Sequence, residues 1–150
     1  MQRRKFLETG MLAALLPVAF AHAALPVITV YKSASCGCCS GWVAHLEKNG
    51  FTVKVHDVAD PSDYRDKLGV PSALGSCHTA LVDGYALEGH VPARDIRQLL
   101  QTRPKARGLA VPSMPPGSPG MEGARSDPFD VLLFQPDGRY SVYRHYDGKS

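Results

Sequence analysis

The sequence predicts an α/β domain: a mixed sheet with flanking helices, extended by a loop carrying Pro, Gly and Met and ending in a C-terminal β-hairpin. Three observations carry this expectation. Short β-branched runs alternate with stretches of helical spacing between Pro26 and Leu68, and an Asp-Gly pair joins two apolar runs at 79–88. Two further apolar runs, 129–134 and 139–146, flank Gln135-Pro136-Asp137-Gly138. The chain has 150 residues, 44% hydrophobic and 21% charged, which suits one ordinary domain and argues against wholesale disorder.

Residues 1–23 read as an export signal rather than as fold. Arg3-Arg4-Lys5 is a basic start, Gly10 to Ala21 is apolar, and Ala21-His22-Ala23 is an A-x-A cleavage pattern. The apolar run of about 12 residues falls short of the roughly 20 that a membrane span needs. The twin arginines fit a Tat-type signal, and a Sec-type signal is the alternative. Either one leaves 24–150 as a single exported domain, periplasmic in a Gram-negative cell. The leader carries Arg3, Arg4 and Lys5 against Glu8, so its removal lowers the net charge from +3 to +1. With no basic run or basic–aromatic interleaving left, a nucleic-acid partner is excluded. The mature chain carries no candidate membrane span.

Each element then follows in order. Val27 to Tyr31 reads as a buried strand. Ser40 to Asn49 has Trp42, Val43 and Leu46 at helical spacing and stops at Gly50. Phe51 to Val58 alternates as a second strand, and Asp60-Pro61 opens a helix running to Leu68. Thr79–Val82 and Tyr85–Glu88 form a hairpin about Asp83-Gly84. A third helix follows Val91-Pro92, with Ile96, Leu99 and Leu100 on one face, and closes near Arg103. The order β-α-β-α-β-β-α is thioredoxin-like. Gly108 to Gly123 holds four Gly and four Pro and reads as a long loop without periodicity.

The chemistry is concentrated in the cysteines. Three of the four, Cys36, Cys38 and Cys39, lie within four positions between a strand and a helix. Thiols at a helix N-terminus feel the positive end of its dipole, which favours thiolate, at once a nucleophile and a soft metal ligand. Spacing alone leaves both uses open. Two details favour metal. A third sulfur competes with a two-thiol redox site, and dense thiolates suit Cu(I), zinc or an iron–sulfur centre. The fourth cysteine, in Cys77-His78-Thr79, falls just before the third strand, in the loop that faces the first cysteines in a thioredoxin-like fold. His78 stands there where thioredoxins carry a cis-proline. Adjacent Cys38 and Cys39 fit a single tetrahedral zinc poorly and bridge several Cu(I) ions more readily.

The expected site is therefore Cys36, Cys38, Cys39 and Cys77 holding Cu(I) as a group of several ions, with His78 adding a nitrogen and Met121, ahead of Met114, closing it from the loop. The competing readings are two disulfides, Cys36–Cys39 with Cys38–Cys77, and a thiol–disulfide oxidoreductase using Cys36 as nucleophile and Cys39 as resolving thiol. His45, His56 and His145 read as solvated, His90 is left open, and Trp42 reads as core.

Several long motifs then resemble one family. They are Tyr31-Lys32-Ser33 before Cys36-Gly37-Cys38-Cys39, Ser76-Cys77-His78-Thr79-Ala80, Glu88-Gly89-His90-Val91-Pro92-Ala93, and Gly108-Leu109-Ala110-Val111-Pro112 with Met114-Pro115 and Gly117-Ser118-Pro119-Gly120-Met121. Nearly all of the mature chain resembles the CopG-type periplasmic copper-resistance proteins. The resemblance implies a thioredoxin-like fold, copper held by the cysteines as a multinuclear cluster, and a part in copper redox handling; periplasmic copper-export proteins are the partners it suggests. Ser113 departs from the glycine expected before Met114.

Overall fold

The computed structural model describes residues 24–148; the leader and its Tat or Sec character lie outside the described residues. The expected α/β architecture is present. Its elements are β1 (Ile28–Lys32), α1 (Gly37–Lys48), β2 (Val53–Asp57), α2 (Ser62–Lys67), a 3-10 turn (Ser72–Leu74), β3 (His78–Val82) and β4 (Tyr85–Gly89). α3 (Ala93–Thr102), β5 (Gly108–Val111), β6 (Phe129–Phe134) and β7 (Tyr140–Tyr146) follow.

All seven strands form one mixed sheet in the order β2-β1-β3-β4-β5-β6-β7. β1 runs parallel to β2 and antiparallel to β3, and β4 runs parallel to β5. The C-terminal hairpin adds to the sheet edge, β6 pairing antiparallel with β5. α1 and α3 cover one face: Trp42, Leu46, Ile96 and Leu99 pack with Val30, Leu87, Leu109 and Val131. Val70 and Leu74, from the segment after α2, pack on the other face with Ala86, Ala110 and Phe134. Alternation along β4 and β5 sends successive side chains to opposite cores.

Three sequence expectations need correction. α1 begins at Gly37, inside the cysteine cluster, and not at Ser40. Gly108–Val111 is a fully buried strand and not the start of a loop. Four apolar residues buried on both faces show no alternation, which is why periodicity misses them. Gly108 is required there because a Cβ would lie 1.8 Å from the Ala86 carbonyl oxygen of the neighbouring strand. Finally, Val55, expected on the core face of β2, is exposed, whereas His56 stacks on Tyr31 with ring centroids 5.5 Å apart.

Candidate metal centre

The site forms where the start of α1 meets the β3–β4 hairpin. Cys36 is the N-cap of α1 and makes no side-chain capping bond, so its sulfur is free for other partners. One helical turn brings Cys39 back beneath Cys36, and the two are joined in a disulfide. Cys38 and Cys77 are free thiols. Cys38 points the other way, its Sγ 3.6 Å from that of Cys36 and 3.8 Å from that of Cys77. All four sulfurs lie within 4.8 Å of one another, a spacing that one soft ion or several bridged ions can span.

The opposing wall is set by strand register. β3 and β4 pair Val82↔Tyr85 through Thr79↔Glu88. Asp83 and Gly84 both have positive φ, as a two-residue type I′ turn requires. Two more residues in the same register put Cys77 opposite His90. The His90 Nε2 lies 3.1 Å from Cys77 Sγ, and the His78 Nδ1 lies 3.3 Å from it. The sequence reading left His90 open, although counting outward from the Asp-Gly turn finds it.

The hydrogen bonds also fix the imidazole's protonation. Ser118 Oγ donates its single proton to the Pro115 carbonyl at 2.7 Å, so it can only accept from His90 Nδ1 at 3.1 Å. That leaves the Nε2 lone pair of His90 aimed at Cys77. Burial lowers the pKa of His90 to about 4 and that of His78 to about 3, so both rings are neutral and able to ligate at neutral pH. Burial, followed by the neighbouring Cys38, raises the Cys77 thiol to about 12. The helix-dipole argument for easy thiolate formation therefore does not extend to this cysteine. A metal that displaces its proton reverses that balance.

His78 lies between Trp42 and His90, with ring centroids 4.3 and 5.4 Å away. Its Nε2 is one of two buried side-chain polar atoms left without a partner among the described residues. The same ring sets its Nδ1 against Cys77 Sγ, and Cys77, His78 and His90 offer donor atoms within 4.8 Å of one another, a mixed nitrogen–sulfur set that suits a soft metal. The floor is Trp42, fully buried, whose Nε1 donates to the Val91 carbonyl at 2.8 Å.

The loop after β5 folds over the site. At Gly120 a Cβ would lie 2.5 Å from the Cys38 carbonyl, so only glycine permits this close passage over α1. The loop brings the Met114 Sδ to 3.7 Å from Cys38 Sγ. Met121, preferred from sequence, is held through its backbone, accepting from Gly117 and donating to Ser118. Ser113 has φ 62°, the left-handed conformation that the expected glycine would adopt freely. His45 is half-buried rather than solvated, its Nε2 accepting from Ala93 N–H at 3.1 Å.

Comparison with known proteins finds similar chains. A family described as a protein of unknown function, DUF411, matches residues 74–121, which span Cys77, His90 and the covering loop. No curated protein matches the chain. Two solved structures, named copper resistance protein CopG form 1 and form 2, are each 49% identical to it. Form 1 has a TM-score of 0.78 over 83% of this chain and 99% of its own, and form 2 has 0.77 over 81% and 98%. The chain belongs to the CopG copper-resistance family.

Proposed function

We propose that this member of the CopG family binds copper between α1 and the β3–β4 hairpin and serves copper resistance outside the cytoplasm. The observation that carries the reading is the convergence of four cysteine sulfurs within 4.8 Å from two separate elements. Copper is the cargo, taken as Cu(I) by the thiolates of Cys36, Cys38, Cys39 and Cys77. His78 offers a nitrogen, His90 a second, and the methionine loop offers the thioethers of Met114 and Met121. Adjacent thiolates bridge, so the load is several Cu(I) ions. Loading needs the Cys36–Cys39 disulfide reduced, because thiolate is the ligand. The protein then passes copper to an export partner or, with an external one-electron donor or acceptor, interconverts Cu(I) and Cu(II).

Anaerobic titration of reduced protein with Cu(I) tests the reading. More than one copper per chain is expected, with fewer in a Cys38→Ser variant. A ratio of one or less, unchanged by that substitution, overturns the multinuclear site. Voltammetry of the loaded protein separates the roles, since a passive carrier gives no reversible couple.

The Cys36–Cys39 disulfide favours a second reading, a thiol–disulfide oxidoreductase. That reading requires metal-free turnover in a disulfide-exchange assay and tolerance of Cys77→Ser.

A further inference from the structure

Cys77 reaches the other sulfurs from a loop, residues 75–77, between the 3-10 turn and β3. Loops hold side chains less firmly than helices or strands, and a binding constellation needs its donors fixed to a fraction of an ångström. Something must therefore fix this one. The Glu88 side chain on β4 is fully buried, and both of its oxygens are occupied. Oε1 accepts the Ser76 backbone N–H at 2.7 Å and Arg65 Nε at 2.8 Å, and Oε2 accepts the Thr79 hydroxyl at 2.6 Å. Arg65, on α2, also donates through NH2 to the Ser76 carbonyl at 2.7 Å. The Arg65–Glu88 pair thus holds both backbone polar groups of Ser76, including the carbonyl of the peptide bond leading into Cys77.

We propose that Glu88 and Arg65 are positioning residues for the metal centre: their ion pair grips Ser76 from both sides and so sets the Cys77 sulfur opposite Cys38. Charge-assisted bonds with two fixed partners are the strong and directional kind. They tie the loop to α2, β3 and β4 together, whereas Cys38 is set by its own helix. The 3.8 Å gap between the two sulfurs is the quantity this arrangement controls. Groups that hydrogen-bond the backbone next to a ligand orient it without touching the metal. The function of the positioned thiol rests on the copper reading, but its position does not.

Asp95 supplies an internal control. It too is a fully buried carboxylate bonded to an arginine, Arg144, and to a hydroxyl, that of Tyr146 at 2.6 Å. That pair docks β7 against α3 and holds no part of the Cys77 loop.

The test is metal-free. In a Cys36→Ser/Cys39→Ser background, Cys38 and Cys77 are the only thiols left, and their effective concentration toward each other is measured by equilibration with glutathione. Glu88→Leu is expected to lower it at least tenfold. Glu88→Gln should lower it less than threefold, because an amide oxygen still accepts from Ser76. Asp95→Leu should leave it within twofold, whatever it does to the unfolding midpoint. A folded Glu88→Leu protein within twofold of its parent, or a fall matched by Asp95→Leu, overturns the proposal. If Glu88→Leu does not fold, Arg65→Met decides, with a fall of threefold or more expected and no fall overturning it. A wild-type chain that takes up no copper would overturn the copper reading and leave this result standing.

Discussion

The two walls of the site are built in opposite ways. On the α1 wall three cysteines come from four consecutive residues, and helix geometry alone decides which sulfurs meet. On the β3–β4 wall Cys77, His78 and His90 stand at the ends of two strands, placed by hairpin register, with the Cys77 loop held by the Glu88–Arg65 pair. The first wall is partly open to solvent and holds the Cys36–Cys39 disulfide. The second carries two fully buried, neutral imidazoles that offer lone pairs rather than redox chemistry. One wall thus carries sulfur chemistry on a helix start, and the other is a buried template facing it.

Removing what both walls share has the largest expected effect. Trp42→Ala takes away the side chain beneath His78 together with its bond to Val91, and should cost about 3–5 kcal/mol in urea unfolding. A cost near 1 kcal/mol would mean that the walls do not share this floor.

Acid acts most strongly on the template wall, where burial lowers two imidazoles furthest. The folded pKa values of about 3 for His78 and about 4 for His90 lie below the unfolded value of 6.5. The unfolded chain therefore binds protons that the folded one refuses, so stability is full above pH 6.5 and falls as pH drops toward 4. Each imidazole contributes a loss of about 1.4 kcal/mol per pH unit in that window. Urea unfolding at pH 7 and 5.5 measures it, and the slope should weaken in His78→Gln. An unchanged slope would show that His78 is not held neutral.

The smallest effect sharpens the junction between the template wall and the covering loop. Ser113 donates its backbone N–H to the Gly75 carbonyl at 3.2 Å and accepts from the Ser76 hydroxyl through its own carbonyl. It does so at positive φ. Ser113→Gly relieves that conformation and should stabilise the fold by about 0.5–1 kcal/mol after glycine's entropy is subtracted. Destabilisation would mean that the serine side chain contributes more than its backbone costs.

Legibility from sequence divides along the same line. Alternation and the Asp-Gly turn place β1 to β4, and helical spacing places both long helices apart from the first turn of α1, because those signals are local. β5 was missed, since four apolar residues among prolines carry no period and their strand identity depends on the neighbouring β4 backbone. The loop is legible in sequence, but not which methionine it carries toward the cysteines; the fold brings the Met114 sulfur to 3.7 Å from Cys38 Sγ. Seven residues separate the two methionines, and only the path of the loop across α1 distinguishes them.

By itself, then, the sequence determined the α/β order, the cysteine cluster at a helix start, and Cys77-His78 ahead of a facing strand. Each is written in residues near one another along the chain, where spacing and propensity act directly. Tertiary structure alone decided that Cys36 pairs with Cys39, that both imidazoles are buried and neutral, and that Glu88 and Arg65 hold the loop bearing Cys77. Burial and long-range hydrogen bonding belong to the assembled sheet, and these properties arise only when its strands and covering loop have met.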